Sequence, residues 1–65
     1  MRRPERLYKF YEQVNLIHMQ QFPDWRFGQL MINFFRWLQS VKGIDPFFPE
    51  EEVMIDLFRE FAGLG

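Results

Sequence analysis

His18 is the only histidine in this chain of 65 residues, and histidine is the side chain best suited to proton transfer near neutral pH. Tyr11 lies seven residues earlier, on the same face of a predicted helix. No carboxylate of that helix is placed to orient the imidazole, and one histidine cannot form a metal site. We therefore interpret His18 as a structural residue at the edge of the core.

An acidic run, Glu50 to Glu52, follows Asp45 and could bind a cation. A calcium loop needs ligands that alternate through a turn and a late bidentate glutamate, which this spacing does not supply. Carboxylates also stabilise the first turn of a helix, because the helix N-terminus carries a partial positive charge. Since no nucleophile–base pair and no cofactor loop is visible either, the sequence predicts a protein that is not an enzyme. We expect no metal, no cofactor and no small-molecule substrate.

Polar side chains form one face of the second predicted helix: Arg26, Gln29, Asn33, Arg36 and Ser40. These residue types read base edges or phosphates when a helix lies in the major groove. Against this, only two of them are arginines, Asp24 opens the helix and the formal net charge is −1. Two interpretations stay open: a nucleic-acid surface, or a buried polar network that joins the helix to Asp45 on the next turn.

The composition is that of a globular protein without disulfides. Hydrophobic residues make up 48% of the chain, 13 residues are aromatic and none is cysteine. A chain this short buries only about 60% of its unfolded surface, so large aromatic side chains or a partner must stabilise it. No stretch resembles a signal peptide or a membrane span of about 20 residues. We expect a cytoplasmic protein with no membrane partner.

Proline and glycine divide the chain into three predicted helices, at about residues 4–20, 25–41 and 49–62. The sequence therefore predicts an all-α fold, a small three-helix bundle that forms a single domain over residues 1–65.

The ends of these helices have recognisable signals. Pro4 and Pro49 suit a first helical turn, where the missing N–H costs nothing. Asp24 is the expected N-cap of the second helix, and Gly43 and Gly63 are the expected C-terminal stops.

Apolar residues at helical spacing predict the inward face of each helix. They are Leu7, Phe10, Tyr11, Val14 and Ile17, with His18, on the first helix; Phe27, Leu30, Met31, Phe34, Trp37, Leu38 and Val41 on the second; and Val53, Met54, Leu57, Phe58 and Phe61 on the third. Phe22, Phe47 and Phe48 are expected to fill the corners where the chain turns.

A second apolar strip on the middle helix, Gly28, Ile32 and Phe35, lies between the core face and the polar face. We call it the outer strip. Leu16, Met19 and Tyr8 lie off the core face of the first helix in the same way. This is more apolar surface than a core of this size covers, so it is either a scattering of exposed residues or a contact surface. We favour a protein–protein interaction module that binds itself or another protein, with nucleic-acid binding as the alternative.

The charges are unevenly distributed, with a net +3 over residues 1–9 and −5 over residues 43–65. The two ends either pair, within one molecule or between two, or form separate solvated faces.

Two runs, residues 22–33 and 45–51, resemble a group of small bacterial and phage proteins of no established activity. The shared pattern reads roughly P-D-x-R-x-G-Q-L-x-x-N and then D-x-F-[YF]-x-E-[DE], and the resemblance covers about residues 6–61. Glu51 stands where aspartate is common in that group. The resemblance implies a small helical domain of bacterial or phage type, and it singles out Pro23, Asp24, Arg26, Gly28, Gln29, Asn33, Asp45 and Phe48.

Overall fold

The computed structural model describes residues 2–64, and it confirms the predicted all-α, three-helix bundle. Helix α1 spans Glu5–Gln21, α2 spans Phe27–Trp37 and α3 spans Glu51–Phe61. The chain continues from α2 into a π-helical segment, Leu38–Lys42. No β-strand occurs between residues 2 and 64.

Helices α1 and α3 lie side by side and run in the same direction. At their beginnings, Arg6 Nε donates to Glu51 Oε1 across 2.7 Å. At their ends, the rings of Phe22 and Phe61 stack with centroids 5.4 Å apart. The basic beginning of the sequence therefore pairs with its acidic last third within one molecule. The pairs are Arg6 with Glu51 and Arg2 with Glu50.

Helix α2 packs across the C-terminal half of α3. The ring of Phe34 meets Phe58 edge-on with centroids 4.9 Å apart, and Lys42 Nζ lies 2.8 Å from Glu60 Oε2 beyond the end of the helix. Because its inward face covers α3, the opposite face of α2 forms an outer side of the molecule.

The core consists of six buried residues, each of them in a predicted inward face: Ile17, Leu30, Phe34, Leu38, Leu57 and Phe58. The ring of Phe61 lies at the centre of an aromatic cluster. Its centroid is within 6.5 Å of the ring centroids of Phe22, Trp25, Phe34, Trp37 and Phe58. Large rings thus supply the buried area that a chain of this size needs. Trp25, which the sequence suggested only as the start of a helix, belongs to this cluster.

The predicted inward faces are wrong at their margins. Tyr11, Phe27, Val41 and Val53 are exposed, while Ile55, which the predicted inward face did not include, packs on the core. Periodicity predicts the direction in which a side chain points from the helix axis. Burial also requires another part of the chain to pack against that side chain. Phe27 is the first residue of α2, and Val41 lies near the end of the π-helical segment that follows it.

The predicted N-cap of α2 is also wrong. The helix begins at Phe27 with Arg26 as its N-cap, and the Arg26 N–H donates to Gln29 Oε1 across 2.8 Å, which is one half of a capping box. Asp24 lies in the preceding turn, which the Trp25 N–H closes by donating to the Phe22 carbonyl across 3.1 Å. Stacking of Phe22 on Trp25 with centroids 4.6 Å apart stabilises this turn and delays the helix by two residues.

The predicted glycine stops are confirmed. Gly43 and Gly63 adopt φ of 65° and 79°, a conformation that side chains with a Cβ rarely adopt. The next residue then bonds back into the helix: the Ile44 N–H donates to the Leu38 carbonyl across 3.0 Å, and the Leu64 N–H to the Arg59 carbonyl across 2.8 Å. These bonds satisfy carbonyls that the helix end leaves free.

Among residues 2–64, no helix is long and apolar enough to cross a membrane.

Candidate interaction surfaces

His18 has a structural partner. Its ring Nε2 donates to the carbonyl oxygen of Trp25 across 2.6 Å, and because a carbonyl only accepts, this nitrogen carries the hydrogen. The bond ties the last turn of α1 to the residue that precedes the N-cap of α2. Tyr11 is exposed and forms no hydrogen bond with His18 in the described chain, so the two residues do not form a proton-transfer pair.

The acidic run is used to join helices. Glu50 bonds to Arg2 and Glu51 to Arg6, while Glu52 is exposed. The hydrogen bond from Arg6 lowers the pKa of Glu51, because it stabilises the charged form, and the coulombic effect of the same guanidinium acts in the same direction. Between residues 2 and 64, no cluster of three His, Cys, Asp or Glu side chains is placed to hold a metal ion.

A groove of about 580 Å³ lies between the first halves of α1 and α3. Phe10 and Ile55 contribute apolar surface to it, whereas Lys9, Glu52 and Asp56 are among the charged residues that line it. The sequence reasoning missed this groove, because only the tertiary structure places the two helices side by side. Because basic side chains of α1 face acidic side chains of α3 across it, we interpret the groove as a seam between the two helices and not as a ligand pocket.

The polar face of α2 is not a buried network. Arg26, Gln29 and Arg36 are exposed and Asn33 is half-buried, and no polar side chain within the described residues is fully buried. Asp45 does not reach this face: its Oδ1 accepts the N–H of Phe47 across 2.9 Å inside its own turn. The proposed network between helix and turn is therefore wrong. Nor does Arg26 pair with the acidic segment, since neither Arg26 nor Arg36 forms an ion pair with any residue from 2 to 64.

The outer strip is exposed, as its position off the core face predicts. Ile32 retains 52% of its accessible surface and Phe35 retains 37%. Gly28 is exposed too, and a Cβ placed on it would meet no atom within 4 Å. Packing within the molecule therefore gives no reason for glycine at this position.

The outward side of α1 carries apolar side chains as well. Leu16 and Met19 are exposed, as is Tyr8, which forms a shallow depression with Tyr11 and other residues of the same helix. Leu16 and Met19 lie on α1, whereas the outer strip lies on α2.

The turn between α2 and α3 presents two aromatic rings to solvent, contrary to the prediction that they fill a corner. Phe47 and Phe48 retain 84% and 75% of their accessible surface, and their rings meet edge-on with centroids 5.1 Å apart. The Phe48 N–H donates to the Asp45 carbonyl across 3.3 Å, which turns the chain outward. The half-buried residues of this turn are its prolines, Pro46 and Pro49.

Comparison with known proteins gives no family: no protein-family model matches the chain, no curated protein matches it, and no solved structure matches it. The resemblance to small bacterial and phage proteins stays a prediction, and the arguments for function rest on the surface geometry.

Proposed function

We propose that this protein is a small protein–protein interaction module that associates with itself through the outer strip of α2. The observation that carries the proposal is the exposed apolar strip around Gly28, on a helix whose other side forms the core. A cytoplasmic site of action belongs to the same proposal.

Burial of the strip explains residues that the monomer does not. A glycine in the middle of a helix lowers stability by about 0.5–1 kcal/mol relative to alanine, and Gly28, the second residue of α2, bears at most this cost. No described residue lies within 4 Å of a Cβ placed on it. An exposed isoleucine and phenylalanine one turn apart on the same side add apolar area next to this glycine. Close approach of another helix gives all three residues a role.

A charge at Ile32 tests the proposal. In an Ile32→Glu variant the dimer would bury an unpaired carboxylate, which costs about 3–5 kcal/mol and should weaken association more than about 100-fold. The variant should stay folded, because Ile32 is half exposed in the monomer. Sedimentation equilibrium over a range of protein concentrations measures the mass.

Val53 supplies the matched control. It is also an apolar β-branched residue on a helix, it retains 53% of its accessible surface against 52% for Ile32, and it lies on α3. A Val53→Lys variant, which introduces a charge without extending the acidic run, should associate as the parent does. A parent that is monomeric at millimolar concentration, or an equal loss of association in both variants, would refute self-association through the strip.

The second candidate, nucleic-acid binding, gains support from the exposure of the polar face. Arg26 and Arg36 lie about 15 Å apart along α2 at 1.5 Å per residue, both free of intramolecular ion pairs within the described chain. Residues 25–44 include no Asp or Glu, so no carboxylate of this segment opposes a phosphate. Two arginines provide a small footprint, which ranks this function second.

A further inference from the structure

We infer that the first half of α1, residues 5–13, is a strap that ion pairs hold closed on α3, and that it opens as one unit while the rest of the bundle stays folded. We call this half the strap. Its opening uncovers the groove between the first halves of α1 and α3 and frees the two arginines that bond to α3. The inference does not depend on self-association, because the strap and the outer strip lie on different helices.

The two halves of α1 are anchored to the bundle in different ways. In the second half, Ile17 is 2% exposed, Val14 packs against the core and His18 bonds to the turn before α2. Within the described chain, no residue of the strap is buried, and neither Leu7 nor Phe10 packs against the buried core. Segments with few buried apolar contacts open locally at a lower free energy than the whole fold.

The strap meets α3 through ion pairs and an incompletely filled apolar seam. Arg6 Nε lies 2.7 Å from Glu51 Oε1, and Arg2, just before the strap, pairs with Glu50. Beside these pairs lies the groove of about 580 Å³, to which Phe10 contributes apolar surface. Since an unfilled seam lacks part of the dispersion contacts of a packed interface, the ion pairs have a large share in holding the strap closed.

The start of α3 is stable without the strap. A helix N-terminus carries a partial positive charge and favours carboxylates, and α3 has Glu51 and Glu52 in its first turn. Met54 and Ile55, in the next turn, pack against the core. Loss of the ion pairs therefore leaves α3 in its place.

The start of α1 depends on the carboxylates of α3. Arg2, Arg3 and Arg6 lie in or just before its first turn, and Glu5 is the acidic residue there. Cations at a helix N-terminus oppose its partial positive charge, and Pro4 at the N-cap supplies no side-chain hydrogen bond. Loss of the ion pairs therefore destabilises the strap, so that α1 is the helix that opens.

Amide hydrogen exchange measured by NMR reads this opening residue by residue. The amides of residues 9–13 bond to carbonyls inside the strap, whereas those of residues 18–21 bond to carbonyls of the second half, because each helical N–H bonds four residues back. Residues 9–13 should share one opening equilibrium and exchange faster than residues 18–21. The ratio of the two rates should increase when the salt concentration is raised from about 50 to about 500 mM, because salt screens partly exposed ion pairs.

Arg6→Gln removes the ion pair to Glu51 and should accelerate exchange of residues 9–13 about two- to fivefold, the effect of one partly exposed ion pair. Exchange of residues 18–21 should not change. The direction of the effect is diagnostic. Removal of a cation from the first turn would by itself stabilise the helix and slow exchange, so acceleration reports the lost contact with α3.

Two variants serve as controls. Arg3→Gln removes a neighbouring cation that forms no ion pair with another described residue, so exchange of residues 9–13 should stay the same or slow down. Lys42→Gln removes an ion pair of similar length, 2.8 Å, to Glu60 near the other end of α3. It should leave the exchange of residues 9–13 unchanged.

Three results would overturn the strap. A smooth gradient of exchange rates along α1 would show ordinary fraying of a helix end. Equal rates and equal salt responses for residues 9–13 and 18–21 would show that α1 opens only with the whole bundle. An Arg6→Gln variant without acceleration, or with no more acceleration than Lys42→Gln, would show that the ion pair to Glu51 does not hold the strap closed.

Discussion

At the scale of single residues, neighbours on α2 differ sharply in what they stabilise. Phe34 is 3% exposed and its ring lies against Phe58, Phe61 and Trp37. Phe35 follows it in the chain, yet it belongs to the outer strip. The same side chain thus serves the core at one position and the surface at the next, because each step along a helix turns by 100°.

Replacing Phe34 by alanine should lower the free energy of unfolding by about 3–5 kcal/mol, since truncating a buried phenylalanine removes its apolar burial and leaves a cavity. A domain of this size has about 3–5 kcal/mol in total, so this variant should lose its cooperative melt. Phe35→Ala is the comparison variant and should cost less than Phe34→Ala, because Phe35 retains 37% of its accessible surface. Urea unfolding followed by circular dichroism measures both, and a cooperative melt near the parental midpoint for Phe34→Ala would contradict the packing described.

At the scale of elements, side chains and caps decide where each helix begins and how it meets the next. Gln29 caps α2 from inside the helix, and His18 bonds the preceding turn to α1. Helices α1 and α3 are joined at their beginnings by Arg6 and Glu51. The parallel pairing of these two helices therefore has a hydrophobic contact at one end and a charged contact at the other.

The contact between Arg6 and Glu51 should make stability depend on pH at the acid side. The Arg6 hydrogen bond lowers the pKa of Glu51 below its ordinary value of 4.5. A carboxyl whose pKa is lower in the folded state stabilises the fold above its unfolded pKa and loses this contribution as the pH falls through the folded pKa. The stability difference between the parent and Arg6→Gln should thus be constant from pH 7 to 5 and shrink below about pH 4.5.

Arg3→Gln is the control for this measurement, because Arg3 is exposed and forms no ion pair with another described residue. Its difference from the parent should be small and should not follow the titration of Glu51. Urea midpoints at pH 7, 5 and 3 make the comparison. If the stability difference between the parent and Arg6→Gln grew as the pH fell, the prediction that the contact stabilises the charged form of Glu51 would be wrong.

At the scale of the whole molecule, apolar and polar surfaces lie next to each other on α2. The outer strip and the polar face lie on one helix, so a helix partner and a nucleic acid would compete for the same side of α2. The apolar residues of α1 and the Phe47–Phe48 turn lie elsewhere on the surface. Salt dependence distinguishes the two functions, because nucleic-acid binding releases counterions and weakens with salt, whereas an apolar contact does not.

Nucleic-acid binding through Arg26 and Arg36 should weaken about tenfold between 50 and 200 mM salt, since each neutralised phosphate contributes a slope of about −0.9 and two are available. Self-association through the apolar outer strip should not weaken over the same range. Fluorescence anisotropy of mixed-sequence duplexes, with sedimentation on the same samples, compares the two. Saturable binding at micromolar protein that is lost in an Arg26→Gln, Arg36→Gln variant with unchanged helix content would promote the second candidate.

The sequence by itself determined which segments are helical and where two of them stop. Proline and glycine act through the backbone of their own residue, so Gly43 and Gly63 could be identified as stops without knowing the fold. Helical periodicity likewise predicted every member of the buried core and the exposure of Gly28, Ile32 and Phe35.

Only the tertiary structure determined which residues pack against each face of a helix at each position along its axis. Phe27 and Val41 repeat with the core residues, yet they are exposed. Phe47 and Phe48 are exposed at their turn. Among residues 2–64 the acidic partners Glu50, Glu51 and Glu60 pair with Arg2, Arg6 and Lys42, and Arg26 forms no ion pair. Backbone preferences are local and can be read along the chain, whereas burial and pairing depend on elements that are distant in sequence, and only the packed fold brings those elements together.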